Sequence, residues 1–176
     1  MENVLISLIC LALVVVGTLT MMFNAFSSAT SLADAVRVME DTAATIRRTE
    51  VEIAAKNPND IGGGDIEYYV TNTGQVDLES FEDWDVVAEY LGEDDAQHLT
   101  YVSYTAANPP GDNRWTVEGI YFPDNDPEAF NVGILDPGEK LKLIVDLQPR
   151  VKKQHDVKLT IATPNGVTAE CLAHRR

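Results

Sequence analysis

The chain has 176 residues, of which 45% are hydrophobic and 23% charged, and its formal net charge is −15 at pH 7. This length accommodates one apolar helix and one domain of roughly 110–120 residues, so no second core is expected. The acidity argues against a nucleic-acid-binding protein, because phosphate binding depends on clusters of Lys and Arg that release counterions.

The N-terminal segment predicts a hydrophobic helix. Residues 3–33 contain no charged side chain, and the apolar run Val4–Phe26 is long enough, at about 1.5 Å per residue, to cross a bilayer. Met1-Glu2-Asn3 carries no positive charge and the first base is Arg37, which does not fit a secretory signal sequence. The start therefore indicates either an unprocessed anchor or a mature chain whose basic leader was already removed.

Glu2 is a charged residue at the mouth of this apolar helix. Three explanations stay open: Glu2 lies at the aqueous interface, it stabilises the helix N-terminus through the backbone dipole, or it pairs with the α-amino group of a neighbouring subunit. Each explanation avoids burying the carboxylate alone, which would be costly.

Beyond Ala29 the predicted helix becomes amphipathic and continues to Ile53, since no Pro or Gly follows Gly17 before Pro58. Apolar residues recur there at alternating steps of four and three, typical of a helical packing seam. They are Leu32, Val36, Met39, Ala43, Ile46 and Ile53. This seam extends past any membrane, so it needs a protein partner.

The soluble part begins where the spacing of apolar residues changes from the helical period to the period of two that is typical of strands. The helix is predicted to end before Lys56-Asn57-Pro58, and residues 57–65 are predicted to form a flexible linker rich in Gly, Asn and Asp. Seven strands bounded by turn clusters follow. They are Ile66–Val70, Trp84–Tyr90, Leu99–Thr105, Trp115–Phe122, Leu141–Leu147, Val157–Ala162 and Val167–Leu172.

This pattern predicts an α+β fold in which residues 1–56 form a long N-terminal helix, 57–65 a linker, and 66–176 an immunoglobulin-like β-sandwich head. Charge is uneven within the head. Residues 60–139 contain nineteen Asp and Glu and a single base, Arg114, whereas residues 140–176 contain eight of the thirteen Lys and Arg. Two interpretations stay open: a solvated acidic surface, or acidic and basic patches that meet between neighbouring copies.

No pattern of catalytic or metal-binding residues stands out. His98, His155 and His174 are widely separated, and no phosphate-binding or nucleophile motif occurs, so we predict no enzyme, no cofactor and no metal centre. The loop Asp124–Glu128 offers oxygen ligands for Ca²⁺ but lacks the spacing and Gly of a dedicated site, so an exposed acidic turn is the favoured interpretation. Cys10 and Cys171 are predicted to be unpaired, since the long helix separates them.

Four segments of the head carry a recognisable order of motifs. Ile66–Gly74 is a strand with an Asn-Thr-Gly turn, Phe81–Leu91 contains a D-x-D-V strand, Asn131–Glu139 ends in L-x-P-G-E, and Thr163–Val167 is a hairpin turn. Together with an uncharged hydrophobic helix that continues as an amphipathic one, this order resembles the archaellins, the archaeal flagellins, among the type IV pilin-like filament subunits. The acid near the start is closer to pilins, and the absence of an Asn-x-Ser/Thr sequon gives no support for archaellin-type N-glycans.

The resemblance implies a structural subunit of a helical cell-surface filament, used for swimming and built from identical copies. It also implies a precursor in the cytoplasmic membrane, a class III signal peptidase that removes its leader, and an export and motor platform. Two alternatives remain: an adhesive type IV pilus subunit, or a single-pass, stator-like membrane protein whose head binds a partner.

In such filaments the N-terminal helices form the core and the heads face outward. The resemblance then assigns filament-core packing to sixteen side chains and an assembly charge to Glu2. The sixteen are Val4, Leu5, Leu8, Ile9, Leu11, Leu13, Val15, Val16, Leu19, Met22, Phe23, Phe26, Leu32, Val36, Met39 and Ile46.

Overall fold

The computed structural model describes residues 2–57 and 65–176, with side chains in the N-terminal helix described from residue 6 onward. The chain divides into two compact units, Met1–Ala44 and Thr45–Arg176. Within the described residues, one α-helix and eight strands follow one another, with a short 3-10 helix at Phe81–Asp83. They are α1 (Glu2–Arg48), β1 (Val51–Ala55), β2 (Ile66–Asn72), β3 (Asp85–Leu91), β4 (Gln97–Tyr104), β5 (Arg114–Tyr121), β6 (Lys140–Asp146), β7 (His155–Ala162) and β8 (Thr168–Arg175).

The predicted N-terminal helix is confirmed as far as Arg48 and is wrong beyond it. Helix α1 passes through Gly17 without a break, but Val51–Ala55 forms strand β1, in which Ile53 pairs with Val70 of β2. Ile53 therefore packs against the core of the head instead of extending the helical seam. Pairing with β2 satisfies the backbone hydrogen-bonding groups of this short segment and buries Val51. The segment therefore forms a strand, although it contains no residue that would end the helix.

The predicted linker is consequently misplaced. Because β1 precedes it and β2 follows it, the segment 57–65 connects two paired strands within the head and does not separate the helix from the head. Its residues 58–64 lie outside the described part of the chain.

The strands form a mixed sheet in the order β1-β2-β6-β5-β4-β3-β7-β8. All neighbouring pairs are antiparallel except β4 and β5, which share a parallel ladder of only two residue pairs. The strands on either side of this short junction enclose one core, and the edge strands β1 and β8 approach each other. The head is therefore sandwich-like, and the predicted α+β class is confirmed.

The core of the head is aromatic and aliphatic. Tyr68, Trp84, Tyr90 and Trp115 are almost completely buried, together with Val and Leu from the central strands. All seven predicted strands are present, with ends that differ by a few residues. The immunoglobulin-like arrangement itself stays a prediction.

Candidate assembly surface

Helix α1 presents the largest exposed apolar surface of the chain. Its 47 residues extend about 70 Å at 1.5 Å per residue, more than twice the roughly 30 Å of a bilayer core. Within it, Ile6–Arg48 contains a window with a mean hydropathy of 2.5, none of which is buried. By length and composition this helix is able to cross a membrane, and part of it must then lie beyond the bilayer.

Polar side chains of α1 are bonded back to its own backbone. The hydroxyls of Thr18 and Thr20 donate to the carbonyl oxygens of Val15 and Val16, at 2.9 and 2.8 Å. Thr42 donates in the same way to the Val38 carbonyl, at 2.8 Å. These hydroxyls therefore need no outside partner, and the helix surface suits an apolar environment of lipid or protein.

The predicted packing residues that the structure describes are all exposed in the single chain. Their exposed fractions run from 41% at Ile46 to 73% at Phe23. On a regular helix, Leu32, Val36, Met39 and Ile46 fall within about 80° of one another, so the seam without Ile53 remains on one face. The side chains of Glu2, Val4 and Leu5 lie outside the described residues.

The last turn of α1 belongs to the same compact unit as the head. The Gln75 N–H donates to the Arg48 carbonyl at 2.8 Å, and the Gly74 N–H donates to the Glu50 carbonyl at 3.0 Å. Thr49 is 6% exposed, and its hydroxyl accepts a 2.7 Å hydrogen bond from the Asn165 side-chain amide. The connection between helix and sheet is therefore a hydrogen-bonded joint.

Asn72 organises the turn against which this joint packs. Its fully buried side-chain amide donates to the Val76 and Leu135 carbonyls at 2.8 and 2.9 Å, and its Oδ1 accepts from the Gly74 N–H at 3.1 Å. A Cβ on Gly74 would lie 2.6 Å from both the Arg48 carbonyl oxygen and the Glu50 nitrogen. The Asn-Thr-Gly turn was predicted from the sequence, but its packing against the end of α1 was not.

Replacing Gly74 by Ala is therefore expected to destabilise the joint. The new methyl group meets rigid backbone on both sides, so we expect the free energy of unfolding to fall by about 2 kcal/mol. Urea titration followed by tryptophan fluorescence measures this change. Gly133→Ala is the matched control, because a Cβ at Gly133 has no neighbour within 4 Å, and an equal loss in both variants would contradict the proposed joint.

The head also carries a groove beside the loop that follows β5. The groove has a volume of about 640 Å³, and Phe81, Tyr104 and Val117 contribute apolar side chains to its lining. Glu79 and Glu82 line it as well and are exposed. Four separate parts of the sequence build this groove, so no local pattern predicted it.

Two carboxyl groups meet beneath the same loop. Glu139 is 5% exposed, and its Oε2 accepts a 2.9 Å hydrogen bond from the Asp136 N–H. Burial raises the pKa of Glu139, and the adjacent Glu128 and Asp136 carboxylates raise it further. Glu128 accepts from the Asn131 N–H through Oε1 at 3.0 Å, while its Oε2 is buried without a donor. The two carboxyl groups are therefore adjacent, and protonation of Glu139 relieves the repulsion between them.

Glu139→Gln is expected to stabilise the head at neutral pH by about 1 kcal/mol, because its amide donates to Glu128 while its oxygen still accepts from Asp136. The folded pKa of Glu139 lies above its ordinary value of 4.5, so its stabilising contribution is complete below that pH and is lost as the pH rises through the folded pKa. Urea midpoints should therefore diverge between wild type and variant with rising pH. A constant difference, equal to that of the exposed control Glu52→Gln, would contradict this pairing.

The remaining sequence predictions concern cysteine and metal. Cys10 and Cys171 are both free thiols, as expected. Within residues 2–57 and 65–176, no group of three His, Cys, Asp or Glu side chains is arranged to hold a metal ion.

No family model and no curated protein matches this chain. Among solved structures, the chain is similar to the archaellum periplasmic stator protein FlaG from Sulfolobus acidocaldarius, with 21% identity and a TM-score of 0.50. That match covers 70% of this chain and 98% of FlaG. The chain is also similar to the archaeal flagellum of Methanospirillum hungatei strain JF1, with 11% identity and a TM-score of 0.51, over 96% of this chain and 90% of the other. The archaellin-like fold expected from the sequence is therefore confirmed.

Proposed function

We propose that this chain, which shares its fold with archaellum proteins, is a structural subunit of an archaellum-like helical filament that serves swimming motility. It is a non-enzymatic protein in this proposal. Its partners are identical copies, together with the leader peptidase and the export and motor platform that such assembly requires. It resides in the cytoplasmic membrane before assembly and at the cell surface afterwards.

The observation that carries this proposal is the length of exposed apolar helix. A membrane anchor is complete within about 20 residues, whereas α1 exposes Leu32, Val36, Met39 and Ile46 beyond the apolar run Val4–Phe26. Apolar surface outside a membrane gains roughly 25 cal/mol per Å² only when another protein covers it. Copies of the same chain supply that cover when their contacts repeat without closing, which produces an open helical polymer.

A stator-like role is the second candidate. The match to FlaG, which is described as a periplasmic stator protein, supports a membrane-anchored head that binds a partner. In that role the residues beyond the membrane would face a different protein. The match to the Methanospirillum hungatei flagellum extends over α1 as well as the head, which supports the filament role.

Shearing cells that express the tagged chain separates the two candidates. A filament subunit is expected in the sheared fraction, as fibres that bind the tag antibody in electron micrographs. A stator is expected to remain with the membrane pellet, and recovery of the chain only there would overturn the filament proposal. Deletion of the gene, scored for swimming and for surface attachment, then distinguishes a motility filament from an adhesive pilus.

A further inference from the structure

The head carries complementary charged surfaces at the two ends of strand β6. The acidic groove is lined by Ile120 and Tyr121, which pair with Leu141 and Lys140 at the start of β6. The turn that joins β6 to β7 follows the opposite end of the strand. Seven residues at about 3.3 Å each separate these ends by about 23 Å.

Four acids line the groove, and two of them are available to a partner, since Glu118 is paired with Lys142 and Glu128 is partly buried. Glu79 and Glu82 are exposed, and neither forms an ion pair with another described residue. Phe81, Tyr104 and Val117 beside them provide an apolar lining. A groove of this composition suits a side chain with an apolar stem and a cationic head, as in Arg or Lys.

The β6–β7 turn offers such side chains. Arg150 and Lys153 are exposed, and within the described part of the chain neither forms an ion pair. Burial raises the pKa of Asp146, the charges of Asp65 and Asp112 raise it further, and the charge of Arg150 opposes that rise, so Arg150 lies near several acids of its own head. Lys152 is bonded to Asp95 and holds the turn in place.

We infer that the acidic groove of one head receives the basic β6–β7 turn of a second copy, so that heads stack end to end. This inference rests on the proposed homopolymer. Every copy presents one groove and one turn at opposite ends of β6, which is the requirement for a heterologous contact that repeats along a filament. The guanidinium of Arg150 binds the carboxylates of Glu79 and Glu82 while its stem covers the apolar lining.

Charge reversal tests the contact in the full-length chain. Glu79→Lys with Glu82→Lys, and separately Arg150→Glu with Lys153→Glu, are each expected to reduce the yield of sheared filaments about tenfold or more, because like charges then face each other. The four substitutions together restore attraction and are expected to restore the yield. Glu52→Lys with Glu89→Lys is the matched control, since it makes the same charge change at exposed positions outside the groove.

A cross-link gives an independent measure. With Cys10 and Cys171 replaced by Ser, Glu82→Cys combined with Lys153→Cys is expected to form a ladder of intersubunit disulfides when filaments are oxidised with diamide. Three results would overturn the contact, provided that the wild type still forms filaments. They are monomer bands alone after oxidation, normal assembly of the charge-reversal variants, and a fourfold variant that does not restore the yield. Absence of filaments from the wild type would instead overturn the proposed function.

Discussion

Val15→Asp is expected to abolish filament assembly while leaving the head folded. Val15 lies in the middle of the apolar run and is 48% exposed in the single chain, ready to be covered by other copies. A carboxylate buried there without a partner costs several kcal/mol per subunit, and a polymer repeats that cost at every copy. The expected result is a loss of filaments of at least about a hundredfold in sheared fractions examined by electron microscopy.

The control for this substitution is Val15→Thr, which has nearly the same shape. A Thr hydroxyl on this helix bonds back to a carbonyl one turn earlier, as those of Thr18 and Thr20 do, so filaments are expected to persist. Membrane fractionation of both variants checks that the precursor still inserts. Normal filaments from Val15→Asp would exclude a packed helical core at this position.

Removal of residues 1–44 is expected to convert the chain into a soluble, monomeric head. The cut follows the boundary between the two compact units and leaves the last turn of α1 bonded to the sheet. Because the removed unit carries nearly all of the exposed apolar helix, the head loses the surface that drives association. Sedimentation velocity at increasing concentration measures the mass, and a fibre or stable oligomer would contradict the proposed role of α1.

A second truncation, which removes residues 1–48, tests the joint in the same experiment. It deletes Arg48 and with it the carbonyl that accepts from Gln75, and it leaves Thr49 at a free chain end. We expect this head to be less stable than the longer one by about 1–2 kcal/mol, measured by urea titration. Equal stability of the two heads would show that the last helical turn is not part of the folded unit.

The sequence predicted those features of the fold that depend on local periodicity. The uncharged run and the seam Leu32–Ile53 indicated the helix, although Ile53 itself lies in β1, and alternation such as Val157-Lys-Leu-Thr-Ile161 indicated the strands. Strand β1 was missed because Val51–Ala55 contains no breaker, and only its pairing with the distant β2 makes it a strand. Helix propensity is a weak preference that tertiary pairing overrides.

The candidate surfaces likewise include one that local sequence predicted and others that depend on the tertiary fold. Most of the exposed apolar residues of α1 were named from the sequence, because an uncharged apolar run and an amphipathic seam need lipid or protein around them. The groove was not predicted, since residues 79–82, 117–121 and 127–133 come together only through the order of the strands. Likewise Glu139 resembled any other acid of an acidic head until its burial beside Glu128 was seen.

If the chain forms the filament proposed above, the joint at Thr49 has a mechanical consequence for that filament when it is twisted. If a flexible Gly-rich linker joined the head to the helix, the outer heads could rotate independently of the helical core when the core was twisted. Here the sheet receives torque through the helix backbone itself and through the bonds that Gln75 and Asn165 make to its end. Twist applied at one end of such a fibre is carried outward as elastic strain in every copy, which makes the fibre stiff in torsion.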